Sequence, residues 1–256
     1  MKFLVSGCSD KGIVKKVNQD SFCYKVIQTN KNMIFFAVLC DGMGGLNKGE
    51  VASATVVKEF SNWAESNLKN ILSMEYDNNI IKKEFSEFVQ NINDRIYSYG
   101  KEIGTAIGTT LAAILIIDDK YYTVSVGDTR IYKIKNAAIN QVTHDHSLVQ
   151  REIDEGILSK EEARNDSRKN ILLQCIGAKR KVSEDILFGQ LHKDTVFLLS
   201  TDGFWNKLDE NELAEEFNPI KLSSELEITN KIKTMISKVK SKKEKDNISV
   251  IVVNCY

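Results

Sequence analysis

Three β-rich runs, Thr110 to Ile117, Tyr121 to Val126 and Arg130 to Ile134, follow one another with bends at Asp118-Asp119 and Gly127-Asp128. A parallel pair needs a crossover of a dozen or more residues between its strands, and no such length separates these runs. An antiparallel β-meander is therefore predicted, and a Rossmann-like parallel sheet is disfavoured. Upstream, the apolar IFFAVLC within Met33 to Cys40, bounded by Asn32 and Asp41-Gly42, predicts a buried strand delivered to a sharp turn. From about Gly49 the period lengthens. Val51, Ala54, Val57, Trp63, Ala64, Leu68 and Ile71, then Phe85, Phe88, Val89, Ile92, Ile96 and Tyr99, predict two long amphipathic helices joined through Met74 to Asn79. Thr195 to Ser200 reads as a second buried strand ending in Thr201-Asp202-Gly203, and Ile248 to Val253 as a closing apolar strand. Between them helices are predicted at Glu210 to Glu216 and Ser224 to Lys240, the latter with Leu226, Ile232, Met235, Ile236 and Val239 facing inward.

A chain of 256 residues, 42% hydrophobic, can build a core without disulfides or a structural metal. Thirty-five basic and 35 acidic residues cancel, so no overall field attracts nucleic acid or anionic lipid. The basic run Lys238 to Lys245 lacks interleaved aromatics and reads as a solvated helix end, so no nucleic-acid partner is expected. Cys8, Cys23, Cys40, Cys175 and Cys255 are odd in number and form no CxxC pair, which suits free thiols in a reducing compartment. Three apolar residues after Lys2 are too few for a signal-peptide core, and no run has the length of a membrane span. A cytoplasmic location is expected. No Gly-, Ser- or Pro-rich linker divides the chain, so one domain over 1–256 is predicted, with the polar stretch from His144 to Asn170 as an insertion.

The chemistry lies in where the aspartates fall. Asp41 follows VLC, Asp128 follows SVG, Asp202 follows LLST, and Asp246 precedes NISVIVV. If the strand ends converge at one sheet edge, these carboxylates repel one another beside apolar surface unless a cation neutralises them. Oxygen donors without a Cys or His cluster suit Mg²⁺ or Mn²⁺, and His144, His146 and His192 form no HExxH zinc motif. A single Asp-Gly pair is equally a turn, because Asp hydrogen-bonds locally and Gly takes positive φ cheaply. Repetition at Asp41-Gly42 and Asp202-Gly203, with Asp20, Asp128 and Asp246 beside them, is what brings the metal reading level with the turn reading. Gly44 to Gly49 has the outer spacing of a phosphate loop, but Glu50 stands where that motif needs Lys. Asp118-Asp119 lacks the further ligands of a calcium loop and reads as a hairpin turn.

Several motifs then run in order: Gly12-Ile13-Val14-Lys15-Lys16-Val17-Asn18-Gln19-Asp20, Asp41-Gly42-Met43-Gly44-Gly45, Gly108-Thr109-Thr110 and Gly127-Asp128-Thr129-Arg130. They continue with Thr143, Asp145-His146-Ser147-Leu148-Val149, Gly156, Glu162-Ala163, Arg168, Asn170, Gly177, Thr201-Asp202-Gly203 and Asp246-Asn247-Ile248. Over nearly its whole length the chain resembles the metal-dependent Ser/Thr protein phosphatases, the PPM or type 2C family, in its bacterial single-domain branch. The resemblance implies an α+β fold: a four-layer α-β-β-α sandwich of two central antiparallel sheets flanked by helices, with a mobile flap at about 144–177. It also implies two Mn²⁺ or Mg²⁺ ions. Asp41 bridges both, Gly42 contributes its carbonyl, Asp202 and Asp246 complete one site, and Asp20 acts through water. Asp128 falls where bacterial members bind a third, weaker metal together with the aspartate equivalent to Asp202. In-line attack by a metal-activated water on phosphoserine or phosphothreonine in proteins is the implied reaction, opposing a Ser/Thr kinase.

This sequence departs from the family pattern at several places. Lys15 stands where the family usually carries a phosphate-gripping Arg, and an ammonium cannot reproduce the flat two-pronged contact, so Lys15 is expected to act as a point charge. Gln19 replaces a common carboxylate, and Met43 stands where some eukaryotic members carry a histidine proposed as leaving-group acid. Lys242 to Lys245 lacks a glycine often found before the last aspartate. Lys15 and Gln19 keep one alternative in view, a catalytically weak or inert phosphoprotein-binding module on the same scaffold; retention of Asp41, Asp202 and Asp246 argues against it. A third reading, a sandwich with turn aspartates and no metal, is disfavoured by the resemblance. No obligate partner is expected.

Overall fold

The computed structural model describes residues 1–29, 33–44, 48–73 and 77–256. Asn32, Gly45 and residues 74–76 of the predicted helix connection lie outside the described residues. The chain runs β1 (Phe3–Asp10), β2 (Asp20–Gln28), β3 (Met33–Gly44), α1 (Gly49–Ser73), α2 (Asn78–Glu102), β4 (Ile107–Thr109), β5 (Leu111–Ile117), β6 (Lys120–Val126), β7 (Arg130–Lys135) and β8 (Ala138–Gln141). It continues with α3 (Leu148–Asp154), α4 (Lys160–Asn165), β9 (Asp185–Gln190), β10 (Thr195–Ser200), α5 (Asp202–Trp205), α6 (Glu210–Glu216), α7 (Glu225–Ser241) and β11 (Ile248–Cys255).

Strand β3 shows why these elements stack in layers. Its residues are apolar on both faces, so both faces must be covered. Ile34, Phe36, Val38 and Cys40 pack with Val56, Phe60, Ile81 and Phe85 of α1 and α2. Phe35, Ala37 and Leu39 turn the other way and meet Phe197, Leu199, Ile251 and Val253 of a second sheet. The far face of that second sheet, through Val196, Leu198, Val250 and Val252, is covered by Ile228, Ile232, Met235 and Ile236 of α7. Alternation with a period of two thus builds four layers, helix, sheet, sheet, helix, as expected. One sheet has the order β2-β3-β5-β6-β9, with β4 paired to β3, and the other β1-β11-β10-β7-β8. All named pairings are antiparallel.

Three expectations change. The meander holds for β5 and β6, which pair from Leu111↔Val126 to Ile117↔Lys120, but β7 does not pair with β6. It crosses to the other sheet and pairs with β10 and β8. Gly127, at φ +101° and with Thr110 packed where a Cβ would sit, turns the chain from one sheet to the other. Leu226 is 69% exposed and does not face inward. The buried stripe of α7 is Ile228, Ile232, Met235, Ile236 and Val239, and Leu226, two residues before its first member, lies on the opposite side of the helix. Strands β1, β2 and β9, absent from the sequence reading, complete the sheets; their mixed polar and apolar residues suit edge positions.

Candidate metal centre

All five candidate aspartates sit at strand termini. Asp20 opens β2 and lies in register opposite Asp41, near the end of β3. Asp128 occupies the crossover between β6 and β7, Asp202 is the first residue of α5 directly after β10, and Asp246 stands two residues before β11. The backbone at Asp41 is held from three directions. Its N–H donates to Thr110 Oγ1 at 2.8 Å, and its carbonyl accepts from Thr109 Oγ1 at 2.8 Å and from the Thr110 N–H at 2.9 Å. Gly42 N–H donates to the Gln19 carbonyl at 3.1 Å. A Cβ at Gly42 would fall 2.3 Å from the Gly49 carbonyl oxygen, so only glycine allows this approach.

The carboxylates act on one another. Asp20 is buried, and its pKa is pushed up to about 7, first by that burial and then by Asp202 and Asp246, against the opposing hydrogen bonds from Ser249 and Thr201. Asp41 and Asp128 are held well above the usual carboxylate range by burial, Asp41 also by Asp20 and Asp202 and Asp128 also by Asp202 and Asp145. Asp202 rises to about 6 through burial, Asp246 and Glu244. Asp20 Oδ2 accepts from Ser249 Oγ at 2.6 Å and Thr201 Oγ1 at 3.1 Å. Asp20 Oδ1 and Asp202 Oδ1 are buried and have no hydrogen-bond partner among the described residues. Buried carboxylate oxygens are normally paired, and two left open within one acidic group fit a divalent cation bound by oxygen donors.

The fit has a limit. Among the described residues, no three His, Cys, Asp or Glu side chains converge closely enough to hold one ion between them. Mg²⁺-type sites do not require that, because such ions keep several waters and take one or two protein carboxylates each. The donor set here, dispersed carboxylates with the Gly42 carbonyl, is of that kind.

Lys15 lies at the same end. Its Nζ is 2.7 Å from Asp246 Oδ1. Burial opposes its charge, but the hydrogen bond to Asp246 and the nearby Asp41 and Asp202 outweigh it and raise the pKa. The loop carrying Lys15 is tied down by Asn247, whose Oδ1 accepts from Gln19 N–H at 2.9 Å and whose Nδ2 donates to the Lys11 and Val17 carbonyls at 2.9 and 3.2 Å. A cavity of about 630 Å³ opens beside Asp128 and Asp202 and is walled by Val149, Ile153 and Ala163 of the segment containing α3 and α4.

A model of the family described as Protein phosphatase 2C matches residues 13–237. The chain belongs to the protein phosphatase 2C family. It is similar to the Serine/threonine phosphatase stp of Listeria welshimeri, 32% identical over 96% of this chain and 93% of that protein. Protein phosphatase PhpP of Streptococcus pneumoniae is 29% identical over 98% of this chain and 96% of its own length. The structure of the S. agalactiae serine/threonine phosphatase superposes with a TM-score of 0.85 at 28% identity, covering 100% of both chains.

For this family member the sequence reading named the acidic residues and missed their supports. Thr109, Thr110, Thr201 and Asn247 stand inside the motifs named above with no role attached, while Ser249 reads as an ordinary strand residue. Adjacency to an aspartate was a signal for Thr201 and Asn247 alone; Thr109, Thr110 and Ser249 meet Asp41 and Asp20 only through the fold.

Proposed function

We propose that this 2C-type phosphatase hydrolyses phosphoserine and phosphothreonine in proteins, using two divalent cations, Mn²⁺ or Mg²⁺. The observation that carries the reading is the acidic end of the sandwich, where Asp20 and Asp202 each keep a buried carboxylate oxygen open. Asp41, with the Gly42 carbonyl, Asp202 and Asp246, would hold the ions, and Asp20 would support them from further out. Asp128 with Asp202 would take a third. When bound, the cations supply an activated water and positive charge around the phosphoryl oxygens. The chain's own groups set the stage. Thr109 and Thr110 fix the Asp41 backbone, Ser249 and Thr201 occupy one Asp20 oxygen and leave the other free, and Asn247 presents the Lys15 loop, whose ammonium would contact the outer phosphate oxygens.

The names of the relatives support the substrate class, and phosphoproteins made by a Ser/Thr kinase are the proposed substrates. The chain is proposed to work as one catalytic unit in the cytoplasm, with 144–177 as its flap. No helix among the described residues is long and apolar enough to cross a membrane. The test is hydrolysis of a phosphothreonine peptide with and without Mn²⁺, beside Asp41→Asn and Asp202→Asn. Turnover is expected only with Mn²⁺ and is expected to collapse in both variants; full turnover in chelator would overturn the reading.

A further inference from the structure

We propose that Trp205, held by Arg130, is a positioning residue that sets Asp128 against Asp202 and thereby tunes the cation site between them. The inference rests on the reading of these two aspartates as cation ligands. Asp202 and Trp205 are the first and last residues of α5, a single turn of helix. The indole Nε1–H donates to the backbone carbonyl of Asp128 at 3.2 Å. One short, stiff element therefore links the peptide of one aspartate to the Cα of the other.

The indole is itself clamped. The Arg130 guanidinium lies over its ring, 3.4 Å from Cζ to the ring centroid. Asp145 receives Arg130 Nε on both carboxylate oxygens at 3.0 Å and Nη2 on Oδ2 at 2.7 Å, and Arg130 Nη1 donates to the Tyr132 hydroxyl at 2.8 Å. Gln141 Nε2 completes Asp145 with a 2.8 Å bond to Oδ1. The Arg130 and Asp145 side chains are 15% and 5% exposed. A planar guanidinium locked in a buried fork with a carboxylate has one orientation, so the ring stacked on it has one as well. On its other side the Asp128 turn is fixed by the 2.6 Å contact between the Thr110 and Thr129 hydroxyls. Without the indole N–H, the Asp128 carbonyl loses its link to α5, and the two carboxylates are free to separate. Groups that orient metal ligands in this way are worth about 10–100-fold in metal affinity or activity.

The test is a calorimetric Mn²⁺ titration of the full chain after chelation. Trp205→Phe keeps an aromatic face for Arg130 and removes the N–H; Asp145→Asn keeps its shape and removes the charge that holds Arg130. Both are expected to weaken the weakest Mn²⁺ step about 10-fold and to lower kcat for a phosphothreonine peptide more than they change KM. The chain's other tryptophan is the control: Trp63, packed on Phe60 and Phe85 in the helical layer, changed to Phe, is expected to lower Tm and leave the isotherm in place. Asp128→Asn is expected to remove the weakest step altogether. If Trp205→Phe and Asp145→Asn titrate like the unmutated protein while Asp128→Asn loses a step, the inference is overturned and the functional reading stands. If Asp128→Asn also titrates unchanged, Asp128 is no ligand and the inference falls with that assignment.

Discussion

As the proposed phosphate contact, Lys15 would set how strongly the site grips phosphate before any chemistry occurs. Its ammonium already leans on Asp246 at 2.7 Å, and a raised pKa keeps it charged over the range in which a phosphatase operates. A point charge attracts a phosphate dianion without fixing its orientation, whereas a guanidinium offers two parallel donors. Lys15→Arg is therefore expected to lower KM for a phosphothreonine peptide with little change in kcat, as seen in steady-state kinetics; an effect on kcat alone would reject a ground-state grip. At this scale the sequence was most readable where Asp meets Gly after an apolar run, which located the site, although neither pair is the turn expected: β3 continues through Asp41-Gly42 to Gly44, and Asp202-Gly203 opens α5. It was least readable for residues such as Asn247 and Ser249, whose importance comes from what faces them: Asn247 reaches loop residues more than 200 positions earlier in the chain.

At the scale of elements, the site depends on backbones packed too closely for side chains. A Cβ at Gly203 would lie 1.9 Å from the Asn247 carbonyl oxygen and 3.0 Å from its carbon, with neither able to swing aside. Gly203→Ala must push α5 away from the loop that carries Asp246. We expect a loss of about 1–3 kcal/mol or more in urea unfolding, together with weakened Mn²⁺ binding. Helix α7 gives a contrasting pair. Ile232 is fully buried and Leu226 is 69% exposed. Ile232→Ala should cost about 2–5 kcal/mol, and Leu226→Ala no more than about 0.5 kcal/mol; a large loss at Leu226 would contradict the helix orientation. Mainly apolar runs such as Thr195–Ser200 were legible as strands because burial on both faces leaves no exposed position and little room for polar residues. The crossing of β7 to the second sheet was not, because a strand's own residues do not name its partner. Only the Gly127 turn hinted at a change of direction.

For the whole molecule, the sandwich gathers at one end carboxylates that the fold by itself disfavours in charged form. Asp20 rises to about 7 and Asp202 to about 6 from a usual value of 3.8, burial being the larger cause and neighbouring carboxylates the next. A carboxyl group whose pKa is higher folded than unfolded holds more protons in the native state through that interval, so its contribution to stability declines as pH rises. The opposite group, Asp10, has its pKa lowered by Gly12 N–H and Lys240 against burial, and loses its contribution only as pH falls below the ordinary carboxylate range. Between about pH 5 and pH 7, above the ordinary carboxylate value and up to the higher of the raised ones, the raised pair therefore sets the slope. In chelator, Tm by scanning calorimetry should fall across this interval. Saturating Mn²⁺ should restore it most at the upper end, where the carboxylates are ready to bind, since a ligand that favours the deprotonated native state gains affinity with pH. Asp20→Asn retains the shape and removes one titrating group, and should flatten the slope in chelator. A Tm that stays level or rises from about pH 5 to pH 7 in chelator would mean that these carboxylates carry no folding strain, and the case for a cation relieving it would fail.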